Sequence, residues 1–155
     1  MTAIRAGRVV DPDTGTAQVN QVILIENGRI RAIGANVPVP ADARVIDLSG
    51  ATISPGLVDA HSHLCLNVNE ARDSGSYYLT TLRDPDAYRA VQGTANAKSM
   101  LEAGFTSVRD VGNEGRFACV QVARAIRRGT IPGPTFLTAG RIIAPYGLQT
   151  RQRAG

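Results

Sequence analysis

The chain has 155 residues, 43% hydrophobic and 19% charged, a balance that supports one core of ordinary size and excludes a disordered polyelectrolyte. Its apolar runs fall short of the roughly 18 residues a membrane-spanning helix requires, and the N-terminus lacks the basic, apolar and small-residue succession of a secretory signal, so a cytoplasmic location and no membrane partner are expected. The net charge of +4 is carried almost wholly by scattered arginines, Lys98 being the only lysine. No basic stripe with interleaved aromatics is present, so no nucleic-acid partner is expected.

From Ile4 to Ile53 short β signals alternate with turn residues. Ile4 to Val10 is a strand stopped at Asp11-Pro12-Asp13-Thr14-Gly15. Val22 to Glu26 and Arg29 to Gly34 flank Asn27-Gly28, a pair suited to the two positive φ angles of a tight hairpin. Arg44 to Leu48 and Ala51 to Ile53 flank Ser49-Gly50, giving about five strands in all.

Pro55-Gly56 marks a boundary, and strands then alternate with helices. Leu57 to Leu64 is a strand, and Asp86 to Ala103 a helix with apolar positions Val91, Ala95, Met100 and Leu101 and Gly104 at its C-terminus. Phe105 to Val111 is a strand. Arg116 to Arg128 is a helix ended by Gly129, with Arg124, Arg127 and Arg128 placed where cations suit the dipole, and Thr135 to Ile143 is a third strand. The βαβαβ order gives a parallel sheet with right-handed crossovers, either open or part of a closed barrel. Gln149 to Gly155 carries neither strand nor helix signals.

The chemistry concentrates in Gly56-Leu57-Val58-Asp59-Ala60-His61-Ser62-His63-Leu64, which holds the only two histidines. Strand alternation puts Asp59, His61 and His63 on one face and leaves Val58, Ala60 and Leu64 to pack on helices. Two imidazoles two residues apart are about 6.6 to 7 Å apart at the backbone, close enough to converge on one cation at about 2.0 to 2.1 Å each. An isolated His-x-His is also compatible with two locally hydrogen-bonded rings that bind nothing.

The succession Ile25-Glu26-Asn27-Gly28-Arg29-Ile30, Val45-Ile46-Asp47-Leu48 and Ser54-Pro55-Gly56-Leu57-Val58-Asp59-Ala60-His61-Ser62-His63 resembles the amidohydrolase superfamily, in particular its prolidase-like and imidazolonepropionase-like branch. Ala103-Gly104-Phe105-Thr106-Ser107-Val108-Arg109-Asp110-Val111-Gly112 and Ile131-Pro132-Gly133-Pro134-Thr135 resemble the next segments of that branch, in the same order. The resemblance implies an α/β fold in which residues 1–54 contribute to a small β-sandwich subdomain. Residues 55–155 would then form the first three strands and two helices of a (β/α)8 TIM-type barrel. It also implies one or two divalent metal ions, most often zinc, held in part by His61 and His63. Hydrolysis of a C–N bond in a small-molecule amide, cyclic amide or dipeptide-like substrate is implied by the same resemblance. The remaining ligands and the proton-transfer residue come from later strands in the family, so no catalytic residue is identified here. Three strands of eight leave an open edge, and the chain is expected to be completed by another chain or to come from a longer product. The competing reading is a catalytically inactive structural or interaction fragment.

Several further residues carry two readings. Asp59 either orients a ligand histidine from outside the metal shell or is a buried aspartate bonded to backbone. Cys65 could complete a His-His-Cys set, although alternation is expected to fail at the rim. Cys65 and Cys119 are otherwise expected to be reduced thiols. Arg109 and Asp110 either line the site or form a structural ion pair, and Lys98 is expected at the helix surface. Asn67, Asn69, Glu70, Tyr77 and Tyr78 fall in a long loop, Leu66 to Arg83, that either shapes a pocket or is solvated surface.

Overall fold

The structure is a computed structural model and describes residues 1–113 and 115–143, so the segment from Gln149 to Gly155 lies outside the described residues. The chain divides into two compact units, Met1–Pro55 and Gly56–Gly155.

The first unit is a four-stranded sheet of β1 (Thr2–Asp11), β2 (Thr16–Glu26), β3 (Arg29–Gly34) and β4 (Arg44–Ile53), in the order β3-β2-β1-β4. At the β1–β2 turn the Asp11 carboxylate accepts the backbone N–H of Asp13 at 3.0 Å, as the Asp-Pro-Asp-Thr-Gly run suggests. Asn27 and Gly28 have φ of 51° and 74°, the primed turn expected of this dipeptide. Central β1 runs antiparallel to β2 and parallel to β4. Four strands are found rather than five. Ser49-Gly50 does not separate two strands but lies inside β4, where Ala6 pairs with Leu48 and Arg8 with Thr52. Both halves pair with the same strand, so the extra residues are absorbed as an irregularity, held by a 2.9 Å bond from the Ser49 N–H to the Asp47 carboxylate. Ala3, Ile23 and Leu24 are buried, while Ile30 and Ile33 remain exposed.

In the second unit β5 (Leu57–Ser62), β6 (Phe105–Asp110) and β7 (Thr135–Thr138) form a parallel sheet in the order β5-β6-β7. Between them come α1 (Glu70–Asp73), α2 (Tyr77–Arg83), α3 (Asp86–Glu102) and α4 (Ala118–Arg127). The core joins Leu64 and Cys65 beyond β5, Val108 of β6 and Phe136 of β7 to Ala97 of α3 and to Cys119, Val122 and Ala123 of α4. Among the described residues no helix is long and apolar enough to cross a membrane.

Several boundaries and faces differ from the sequence reading. Strand β7 stops at Thr138 instead of Ile143: the Ala139 N–H makes the last bond to β6, on the Asp110 carbonyl, and Gly140 then takes a φ of 78°. The buried face of α3 is Arg89, Gly93 and Ala97, whereas Val91 is 64% exposed and Ala95 is exposed. The reason is a close approach: a Cβ on Gly93 would lie 2.5 Å from the Cys65 sulfur, so the helix meets the end of β5 where it has no side chain. Of the apolar set assigned to helix packing in the first barrel-type strand, only Leu64 is covered. Val58, on the edge strand of this sheet, is 69% exposed.

The segment read as a long loop contains α1 and α2, capped at their N-termini by the Asn69 and Ser76 side chains. These short helices are tied by charge. Asp73 is fully buried and meets Arg72 at 2.7 Å, Arg83 at 2.9 Å and the Thr80 hydroxyl at 2.6 Å, and Arg72 also reaches Asp84. The Arg72 guanidinium, helped by Thr80 and Arg83, holds the Asp73 carboxyl well below its ordinary value of 3.8, against the opposing cost of burial.

The thiols expected to be free are joined instead: Cys65 and Cys119 form a disulfide with Cα atoms 5.7 Å apart. Fifty-four residues separate them in sequence but the close seat of α4 against the end of β5 brings them together, a proximity that sequence spacing does not reveal.

Two outcomes are expected. Closing a loop of this length contributes about 4 kcal/mol in the chain-entropy account, so reduction or Cys119→Ser should lower the unfolding free energy by up to that amount. Titration of two free thiols in the unfolded, unreduced protein would count against the bond. The Asp73 carboxyl has a folded pKa below its unfolded one, so its contribution is present above the ordinary carboxyl value and lost as pH falls below it. The gap between the stabilities of wild type and Asp73→Asn should therefore stay constant above about pH 5 and shrink steadily as pH falls below about 4, and a gap that does not change on acidification would refute the assignment.

Candidate metal centre

Strand β5 delivers two imidazoles to its C-terminal end, His61 within the strand and His63 one residue past it. Their ring centroids are 5.5 Å apart with planes at 78°, so the rings lie side by side rather than on opposite sides of the backbone. His61 is exposed and His63 half-buried, so the pair sits at an opening and not in a sealed core. The pairing with β6 is irregular between Asp59 and Ser62 and resumes at Ser62 opposite Asp110.

His63 Nδ1 lies 2.6 Å from the carbonyl oxygen of Gly112. A carbonyl only accepts, so Nδ1 carries a proton, and in the neutral ring Nε2 keeps its lone pair. Gly112 has a φ of 120°, and a Cβ there would lie 2.7 Å from Ile142 Cγ1, so only glycine turns the backbone to present this carbonyl.

Asp110 ends β6, is fully buried and gathers donors from three directions. Its Oδ1 accepts the Gly112 N–H at 3.0 Å and the Thr138 hydroxyl at 3.3 Å, and its Oδ2 accepts the Leu64 N–H at 3.2 Å and the Asn113 amide. Burial pushes the carboxyl above its ordinary value, opposed by the Gly112 and Leu64 N–H groups, the Thr138 hydroxyl and His63.

The ion pair expected between Arg109 and Asp110 is absent, since neighbouring strand residues point to opposite faces. Arg109 is exposed and donates from Nε to the Ala60 carbonyl at 2.7 Å, tying β6 to β5. The Asp59 carboxylate accepts the backbone N–H of His61 at 3.0 Å, so its contact runs to the main chain of the histidine and not to its ring. Cys65 has left the face of the histidines for the core, bonded to Cys119, and adds no third donor. Lys98 pairs with Glu102 on the surface of α3. Asn67 accepts from Asn96 at 2.8 Å, Asn69 caps α1, and Tyr78 is 44% exposed. Among the described residues no group of three or more His, Cys, Asp or Glu side chains gathers to hold a metal.

The parts missed from sequence are Gly112, Asn113 and Thr138. A signal existed for the first two in Asp110-Val111-Gly112-Asn113, because an aspartate two residues before a glycine at a strand end favours a side-chain-closed turn. Nothing local marks Thr138.

Known proteins place this geometry in context. Residues 52–151 match the profile of the Amidohydrolase family. A dihydroorotase of Geobacter metallireducens is 38% identical over 105 residues, covering 68% of this chain and 20% of that protein. The crystal structure of a Xaa-Pro dipeptidase with bound methionine in its active site superposes with a TM-score of 0.79 at 28% identity, covering 92% of this chain and 34% of the other. A prolidase complexed with N-methylphosphonate-L-proline gives a TM-score of 0.72 at 27% identity, covering 90% and 31%. The chain thus spans about a fifth of the length of the curated relatives it matches and about a third of these structural neighbours. Its α/β architecture is the first part of the barrel fold that the sequence resemblance implied. By sequence profile and by fold, the chain belongs to the amidohydrolase family.

Proposed function

We propose that these residues supply the first metal-ligand pair, His61 and His63, of a hydrolase that cleaves a C–N bond in a small amide, cyclic amide or dipeptide-like substrate. The observation that carries the reading is the pair of adjacent rings, of which His63 has its Nδ1 proton committed to the Gly112 carbonyl. That arrangement suits a divalent cation, with zinc favoured by imidazole donors, because it leaves Nε2 unprotonated at the open end of the strand. When bound, such an ion supplies Lewis acidity and a water acidified toward neutral pH. Gly112 fixes the tautomer and Asp59 steadies the backbone at His61. In this reading residues 1–54 belong to the sandwich subdomain and 55–155 to the opening of the barrel. The names of the relatives span a dihydroorotase, a Xaa-Pro dipeptidase and a prolidase, which supports the bond class and leaves a choice between a cyclic amide and a dipeptide.

Zinc titration of the chain, followed by hydrolysis assays on Xaa-Pro dipeptides and on dihydroorotate with the longest natural form of the protein, tests the proposal. His61→Ala or His63→Ala should weaken zinc binding by more than the about 10- to 100-fold that loss of an outer partner costs. Zinc no higher than background together with no hydrolysis would favour the alternative of an inactive structural or interaction fragment.

A further inference from the structure

We propose that Asp110 is a positioning residue for His63, setting the ring through the backbone on both sides of it; this rests on the reading of His63 as a metal ligand. The carboxylate touches neither imidazole nitrogen. It holds the N–H of Leu64, the residue after His63, and the N–H of Gly112, the residue whose carbonyl receives the His63 Nδ1 proton. One buried side chain thereby fixes the ring's point of attachment and the ring's hydrogen-bond partner relative to each other. Without it, the end of β5 and the turn after β6 would be joined here by the Val111 N–H to Ser62 carbonyl bond and the ring bond itself. Thr138 and Asn113 hold the carboxylate in turn, so that β7 and the turn after β6 brace it from the far side.

The hydrogen-bond inventory makes the residue type specific. An ionised carboxylate only accepts, through two oxygens, and four donors converge on this one. An asparagine in its place keeps one oxygen and turns an NH2 group toward two donors, leaving buried N–H groups without partners. Glutamine or glutamate would add a methylene where the strand end, Thr138 and the Cys119 sulfur 3.4 Å away leave no room. The effect on the metal is indirect: a ring free to rotate or to change tautomer offers Nε2 only part of the time.

The test uses the isotopically labelled 155-residue chain, metal-free and then titrated with zinc, at mildly alkaline pH, with long-range proton–nitrogen spectra of the imidazoles. Wild type should show His63 as a single Nδ1–H tautomer, and zinc should shift its Nε2 resonance. Asp110→Asn should populate both tautomers and bind zinc about 10- to 100-fold more weakly. Val122→Ala, a core truncation in α4, controls for general loosening and should lower stability while leaving the His63 spectrum and the zinc affinity unchanged. A folded Asp110→Asn chain with wild-type tautomer and affinity overturns the proposal, and so does a Val122→Ala chain that loses both. Should Asp110→Asn fail to fold, amide exchange in wild type decides: Leu64 and Gly112 exchanging only through global unfolding supports the clamp, and faster exchange overturns it. A wild-type chain with a fixed tautomer but no zinc-dependent shift would sink the metal reading alone.

Discussion

The bond between His63 Nδ1 and the Gly112 carbonyl is the constraint on which the candidate centre depends. A neutral imidazole has two nitrogens and one proton, so committing the proton to one side decides what the other can do. Here the commitment is made to a backbone atom, and that atom is presented by a residue whose backbone excludes a side chain. The ring therefore inherits the rigidity of two strand ends instead of relying on another mobile side chain. The parallel sheet, the seat of α3 on Gly93 and the disulfide to α4 all act on the short stretch from His63 to Cys65.

Placed within the family, this stretch is where chemistry and packing change over within three residues. His61 and His63 face the open end of the sheet, while Leu64 and Cys65 enter the core beneath it. A turn at Leu64 accomplishes the change, and its N–H would be an unsatisfied buried donor if Asp110 did not accept it. The relatives carry different names, yet a barrel allows that: loops set the substrate, while strand ends hold the groups that act on it.

Much of the fold was legible because the signals were local. Asn27-Gly28 marked the hairpin, Pro55-Gly56 the change of texture, and Gly129 the end of α4, each through backbone conformations that few residues adopt. The histidines were legible as a pair because strand period and position coincide. What escaped were features decided across the sequence. Val91 looked like core by its own chemistry, but the face of α3 is chosen by where Gly93 admits the sulfur of Cys65, which lies beyond the end of β5. Asp110 looked like half of an ion pair, whereas its partners are amides from beyond β5 and β6 and a hydroxyl at the end of β7. The caps Asn69 and Ser76 were visible and could have identified α1 and α2, yet helices of four and seven residues have too little apolar periodicity to declare themselves.

The parallel partnership of β1 with β4 bears on how the first unit comes into being on the ribosome. The hairpin of β2 and β3 is contiguous in sequence, and β1 can join β2 antiparallel as soon as both have emerged. The other edge of β1 must wait until residue 53 has left the exit tunnel, roughly 1 to 4 seconds after residue 34 at ordinary elongation rates. Until β4 is available, the edge of β1 that carries Ile4 has its amides and carbonyls bonded to water instead of to a neighbouring strand, and the order β3-β2-β1 has one unguarded side.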